Sequence, residues 1–144
     1  MTEIVVDASA AAAWLLPSQA TIAAFQLSNN WGSHKGVAPY LFSIELTGVL
    51  LSAERRERAG PAATEARLSA FSKFEVLVEP PLNDADLDQV LQVARRSGSG
   101  YADAHYLHLA LQTGGAVASR DRGMIGGALR LGLGVFDLRS PAPQ

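Results

Sequence analysis

Residues 4–9, Ile4-Val5-Val6-Asp7-Ala8-Ser9, set the fold of the chain. Three β-branched residues in a row describe a strand covered on both faces, since a half-solvated strand would alternate apolar and polar. The run ends on a carboxylate, so the strand delivers Asp7 at its carboxyl end. Ser9 is placed to cap an alanine-rich helix over residues 10–16, which Pro17 closes, and a second helix is expected over 19–29. Loop chemistry at 31–36 leads into a short strand at Val37-Ala38. A long helix follows over 39–58, with Pro39 at its start, three arginines near its end and Gly60-Pro61 beyond it.

The same alternation continues. A helix is expected over 62–71, a strand over 74–78 stopped by Pro80-Pro81, and a helix over 83–96 capped by Asn83 or Asp84. Ser97-Gly98-Ser99-Gly100 breaks the chain before a helix over 101–111 that Gly114-Gly115 ends. Residues 116–118 form a fourth strand, 121–131 a last helix and 135–136 a fifth strand. Strands alternating with helices predict an α/β/α sandwich around a parallel sheet of four to five strands. Ligands of such sheets sit beyond the carboxyl ends of the strands, where the strand order reverses.

With 144 residues the chain has room for one domain, read as residues 1–139 with a short C-terminal tail at 140–144. Its 48% hydrophobic and 18% charged residues describe neither a disordered chain nor a membrane protein, and its longest small-apolar run is far below a membrane span. The absence of cysteine excludes disulfides, thiolate zinc sites and cysteine nucleophiles. Met1-Thr2-Glu3 lacks the charged start of a secretory signal, so a cytoplasmic location is expected.

Most carboxylates fall on solvated helix faces; four do not. Asp7 ends a buried strand. Glu45 shares a helical stripe with Leu41, Phe42, Val49 and Ser52, so a carboxylate faces the core unless the stripe is rotated toward water or a cation pairs with it. Asp103 sits at the rim of the apolar face that carries Leu107 and Ala110, and Asp121 follows the fourth strand. Asp7, Asp103 and Asp121 each have the plainer role of helix cap open to them. In a doubly wound sheet the first and fourth strands end side by side at the switch point. Four carboxylates gathered there without basic partners would repel one another unless a divalent cation is present. Oxygen-only ligation points to Mg²⁺ or Mn²⁺, which activates water and stabilises a phosphorane-like transition state.

These residues resemble the PIN-domain ribonucleases, most closely the VapC toxins of bacterial toxin–antitoxin pairs. The similarity runs through Val5-Val6-Asp7-Ala8-Ser9, then Pro39 and Glu45-Leu46, then Ala102-Asp103-Ala104-His105-Tyr106-Leu107-His108-Leu109-Ala110, and Ser119-Arg120-Asp121-Arg122. The resemblance implies that Asp7, Glu45, Asp103 and Asp121 form an acidic metal site, supported by the hydroxyls of Ser9 and Ser119. It also implies Mg²⁺- or Mn²⁺-dependent hydrolysis of RNA phosphodiesters, homodimerisation, and inhibition by an antitoxin inserted into the active-site groove. Two positions depart from the family's pattern: Gly48 stands where Asn is frequent, and Ser119 where Thr is commoner.

Without the four carboxylates the net charge of −2 becomes +2, so the rest of the surface is mildly basic. Arg120 and Arg122 flank Asp121, and one of them is expected to contact the RNA backbone. On a helix His105 and His108 point away from Asp103 in opposite senses and cannot share an ion with it; they read as dimer-surface or half-buried residues. His34 reads as a loop histidine and Trp14 as core or interface, while Trp31 stays open between core and base stacking. A haloacid-dehalogenase-like phosphatase needs a second Asp where Ser9 stands. A receiver domain needs a Lys after the fifth strand, where none occurs. A PIN-like module that binds RNA or protein without cutting is the remaining alternative.

Overall fold

A computed structural model of the chain describes residues 2–139; the tail expected at 140–144 lies outside the described residues. Five parallel strands, β1 (Thr2–Val6), β2 (His34–Ala38), β3 (Leu77–Val78), β4 (Ala116–Ser119) and β5 (Val135–Asp137), form one sheet in the order β3-β2-β1-β4-β5. Seven helices cover it: α1 (Ala8–Leu15), α2 (Ile22–Asn29), α3 (Leu41–Glu57), α4 (Pro61–Ser72), α5 (Asp84–Ser97), α6 (Tyr101–Thr113) and α7 (Arg122–Arg130). The expected α/β/α sandwich is the observed fold.

The chain builds outward from β1 to β2 and β3, then crosses back to lay β4 on the other side of β1. The switch point therefore lies between β1 and β4. Val6 pairs with Ala118 in register, so the next residues, Asp7 and Ser119, emerge side by side at the carboxyl end. Ile4, Val5, Val6, Val117 and Ala118 are fully buried, as central strands covered on both faces must be. Burial of each Val or Ile side chain contributes roughly 1.5–3 kcal/mol. The run Ala10–Ala13 is buried as well; four small side chains let α1 lie close against the sheet.

Several boundaries differ from expectation for local reasons. Asp7, not Ser9, caps α1: its Oδ1 accepts from the Ala10 N–H at 2.8 Å. A 3₁₀ turn at Pro17–Gln19 occupies the expected start of the second helix, which begins at Ile22 behind a Thr21 cap. The stretch read as loop already enters β2 at His34. β3 is only two residues long, because Glu75 has a left-handed backbone (φ 51°) that prevents an earlier strand start.

Candidate active site

Asp7 is 4% exposed and surrounded by donors. The Ser9 hydroxyl donates to its Oδ1 at 2.7 Å, beside the Ala10 N–H, and the Ser119 hydroxyl donates to its Oδ2. The two serines are themselves 3.2 Å apart, and each accepts one backbone N–H from the turn after β4: Arg120 to Ser9 at 2.9 Å, Asp121 to Ser119 at 2.8 Å. This network locks the end of β1 to the end of β4. Both serines hold Asp7 in place, and Ser9 has no part in capping. Burial pushes the Asp7 carboxyl up to about 6; the three hydrogen bonds pull the other way, and the negative charge of Asp121 adds to the rise.

Asp121 does cap α7, its Oδ2 accepting from the Met124 N–H at 2.8 Å. Asp103 sits in the first turn of α6, whose N-cap is Gly100, so it has no capping bond to make. It is half-buried, and burial, then Asp121, then Glu45 raise its pKa. Glu45 is half-buried on the flank of the α3 core stripe, which runs through Phe42, Leu46, Leu50 and Ala53. The stripe expected to carry Glu45 inward is rotated toward water, and Ser52 is exposed. Asp7, Asp121, Asp103 and Glu45 thus form a chain of mutually repelling neighbours, drawn from four elements. None of the ion pairs among the described residues involves them.

As the side chains stand, no group of three or more His, Asp or Glu among the described residues is arranged to hold a metal ion. Asp7 is instead turned onto serines, Glu45 onto Tyr106 and Asp121 onto the Met124 N–H. The chemistry of the set nevertheless suits a hard divalent cation, being all oxygen and uncompensated. Gly123 leaves room beside two of the carboxylates: a side chain there would begin 3.2 Å from Oδ2 of Asp121 and 3.7 Å from Oδ2 of Asp103.

The PIN domain profile matches residues 4–126, from β1 into α7. The chain belongs to the PIN domain family. Among solved structures this PIN domain is similar to PAE2754 from Pyrobaculum aerophilum, at 25% identity and TM-score 0.64 over 88% of this chain and 84% of that one. It is also similar in fold to FitAcB from Neisseria gonorrhoeae (18% identity, TM-score 0.55, covering 93% and 96%). FitAB bound to an IR36 DNA fragment matches likewise (14%, 0.58, 93% and 94%). No curated protein matches it.

Tyr106 touches this carboxylate cluster, and sequence reasoning passed it over. Its hydroxyl donates to Oε1 of Glu45, and its pKa is raised first by burial, then by that bond and by the charges of Glu45, Asp7 and Asp103. The available signal was its position three residues after Asp103, on the same helix face. Gly48 is exposed with open space about it. Arg120 turns its guanidinium onto Gln19 Oε1 at 3.1 Å, whereas Arg122 is exposed beside the site.

The remaining candidates lie elsewhere. His108 is buried against Gln89 Oε1 at 3.2 Å, and half-buried His105 sets its ring edge-on to Tyr101 at 5.0 Å; burial lowers both pKa values. Trp14 stacks on Phe74 at 4.3 Å and donates to the Ala24 carbonyl, while Trp31 donates to the Phe74 carbonyl and meets Trp14 edge-on. Both tryptophans therefore pack with the core. His34 starts β2, between the rings of Trp31 and Phe136.

Proposed function

We propose that the chain is a Mg²⁺- or Mn²⁺-dependent endoribonuclease, the toxin of a toxin–antitoxin pair held inactive by a cognate antitoxin. PIN domains are generally nucleases. The observation that carries the reading is the set of four carboxylates from four places in the chain, gathered at the switch point with no ion pair to any of them among the described residues. A purely structural or binding role gives no reason to bear that repulsion.

Asp7, Glu45, Asp103 and Asp121 would hold the ion. When bound, it supplies a water of lowered pKa and stabilises charge on the phosphoryl oxygens. The chain's own contribution is positioning. Ser9 and Ser119 fix both oxygens of Asp7, Tyr106 fixes Glu45, and Gly123 keeps the gap between Asp103 and Asp121 open. Arg122 stands exposed next to Asp121, where a phosphate would lie.

A homodimer is part of this reading, and the exposed Tyr40, Ile44 and Leu51 of the α3 segment give it an apolar face (50%, 59% and 37% exposed). No helix among the described residues is long and apolar enough to cross a membrane, in keeping with a cytoplasmic nuclease. The test is cleavage of labelled structured RNA by purified protein with Mg²⁺ or Mn²⁺. Cutting that disappears with chelator and in Asp7→Asn is expected. Intact RNA after incubation with folded, metal-loaded protein would favour the non-catalytic binding module.

A further inference from the structure

Gly123, which opens the gap between Asp103 and Asp121, also lines a shallow groove of about 430 Å³ along α7, with Arg122, Gly126, Leu129, Arg130 and Arg139. Three guanidiniums and no carboxylate line it. Two of them are anchored. Arg130 donates Nε to the Ser97 carbonyl, and its Nη1 lies 3.4 Å from where a Gly126 side chain would begin. Arg139 spends Nε and Nη2 on Asp137, at 2.9 and 2.6 Å, which lowers the Asp137 pKa. A guanidinium has five N–H donors, so Arg130 keeps both Nη groups free of those bonds and Arg139 keeps Nη1. Arg122 is exposed.

Resting on the nuclease reading, we infer that this groove seats the sugar-phosphate backbone of single-stranded RNA immediately beside the scissile phosphate. Glycines at 123 and 126, one turn apart on α7, bare the helix so that a strand can lie close to it. Donors held in place before binding lose less freedom when a phosphate arrives. Exposed Leu129, at 61%, offers an apolar surface to a sugar or base at the far end. The groove, about 430 Å³, is small enough for one strand to fill. Such contacts position the RNA without reading its sequence. Arg139 is neutralised by Asp137, so it contributes direction more than charge, while Arg122 and Arg130 contribute both.

The experiment measures anisotropy of a labelled oligouridylate on the full chain in an Asp7→Asn background, over a salt series. Arg122→Ala and Arg130→Ala are each expected to weaken binding on the order of 10-fold and to lower the salt slope by about 0.7 per lost phosphate contact. Because Arg130 also holds the Ser97 carbonyl, Gly126→Leu serves as a second probe that fills the groove without removing charge; it should weaken binding with the slope unchanged. Lys73→Ala, a charge outside the groove, should bind as the parent does. Wild-type affinity in the Arg122 and Gly126 variants, or an equal loss in Lys73→Ala, overturns the groove. The binding readout is independent of cutting, so an inactive wild-type protein would sink the nuclease reading while the groove is still judged on affinity.

Discussion

The Tyr106 hydroxyl on α6 donates to Oε1 of Glu45 on α3, joining the helices that carry Asp103 and Glu45. The phenol is 1% exposed, so its ring is held by packing and its hydroxyl has a fixed aim. Glu45 is half-buried, forms no ion pair among the described residues and takes its orientation from the Tyr106 hydroxyl.

Tyr106→Phe should therefore fold normally, since the ring volume is kept, and lose about 1 kcal/mol with the hydrogen bond. RNA cutting is expected to fall on the order of 10-fold, as for other residues that orient a ligating group. Thermal melts and single-turnover cleavage check the pair. An unchanged rate would mean that Glu45 needs no such positioning.

Asp7 is harder to ionise in the folded chain than in the unfolded one, because burial lifts its pKa from 3.8 to about 6. The folded state thus binds that proton more tightly, and metal-free protein should lose stability as pH rises from about 4 to about 6, then stay level. At about 1.4 kcal/mol per pH unit the loss is at most about 3 kcal/mol. Asp7→Asn keeps an oxygen for the Ala10 N–H, removes the ionisation, and should raise the melting temperature at pH 7 while abolishing cutting. Melts with chelator across this range decide it; a flat profile for the wild-type chain would contradict the raised pKa of Asp7.

Much of this was legible in the residues. Ile4-Val5-Val6 gave the central strand, and Pro and Gly punctuation gave α3, α4 and α6 nearly to the residue. The phase of α3 was not, since Leu41, Phe42, Ile44, Leu46, Val49, Leu50 and Leu51 put apolar groups on every side; only contact with the rest of the fold selects Phe42, Leu46 and Leu50. Nor was the identity of the α1 cap, because Asp7 and Ser9 are both good capping residues and the choice depends on Ser119, more than a hundred residues away. The positive φ of Glu75, which shortens β3, has no signal in a non-glycine residue.

A divalent ion that binds the folded chain alone should stabilise it by about 2.7 kcal/mol at a hundredfold excess over its dissociation constant. Mn²⁺ is expected to raise the melting temperature of the wild-type chain and to reduce its dependence on pH. The gain should shrink in Asp103→Asn, where half-buried Asp103 no longer repels Asp121 and Glu45. Calorimetric scans with and without Mn²⁺ test this. An equal gain in both proteins would place the ion away from Asp103.

Gly123→Ala separates stability from function. Position 123 lies in the first turn of α7 with ordinary negative backbone geometry, where alanine favours the helix by up to about 1 kcal/mol over glycine. Its methyl carbon would stand 3.2 Å from Oδ2 of Asp121, which is tied to the Met124 N–H and has little room to give. The same methyl lies 3.7 Å from Asp103 and fills the gap between the two carboxylates. The helix gain and the crowding of Asp121 oppose each other, so the melting temperature should move little, while Mn²⁺ affinity and cutting fall together. Titration of Mn²⁺ against protein fluorescence, beside cleavage rates, reads both effects. A variant that cuts and binds Mn²⁺ like the wild type would show that the space between Asp103 and Asp121 is not where the ion sits.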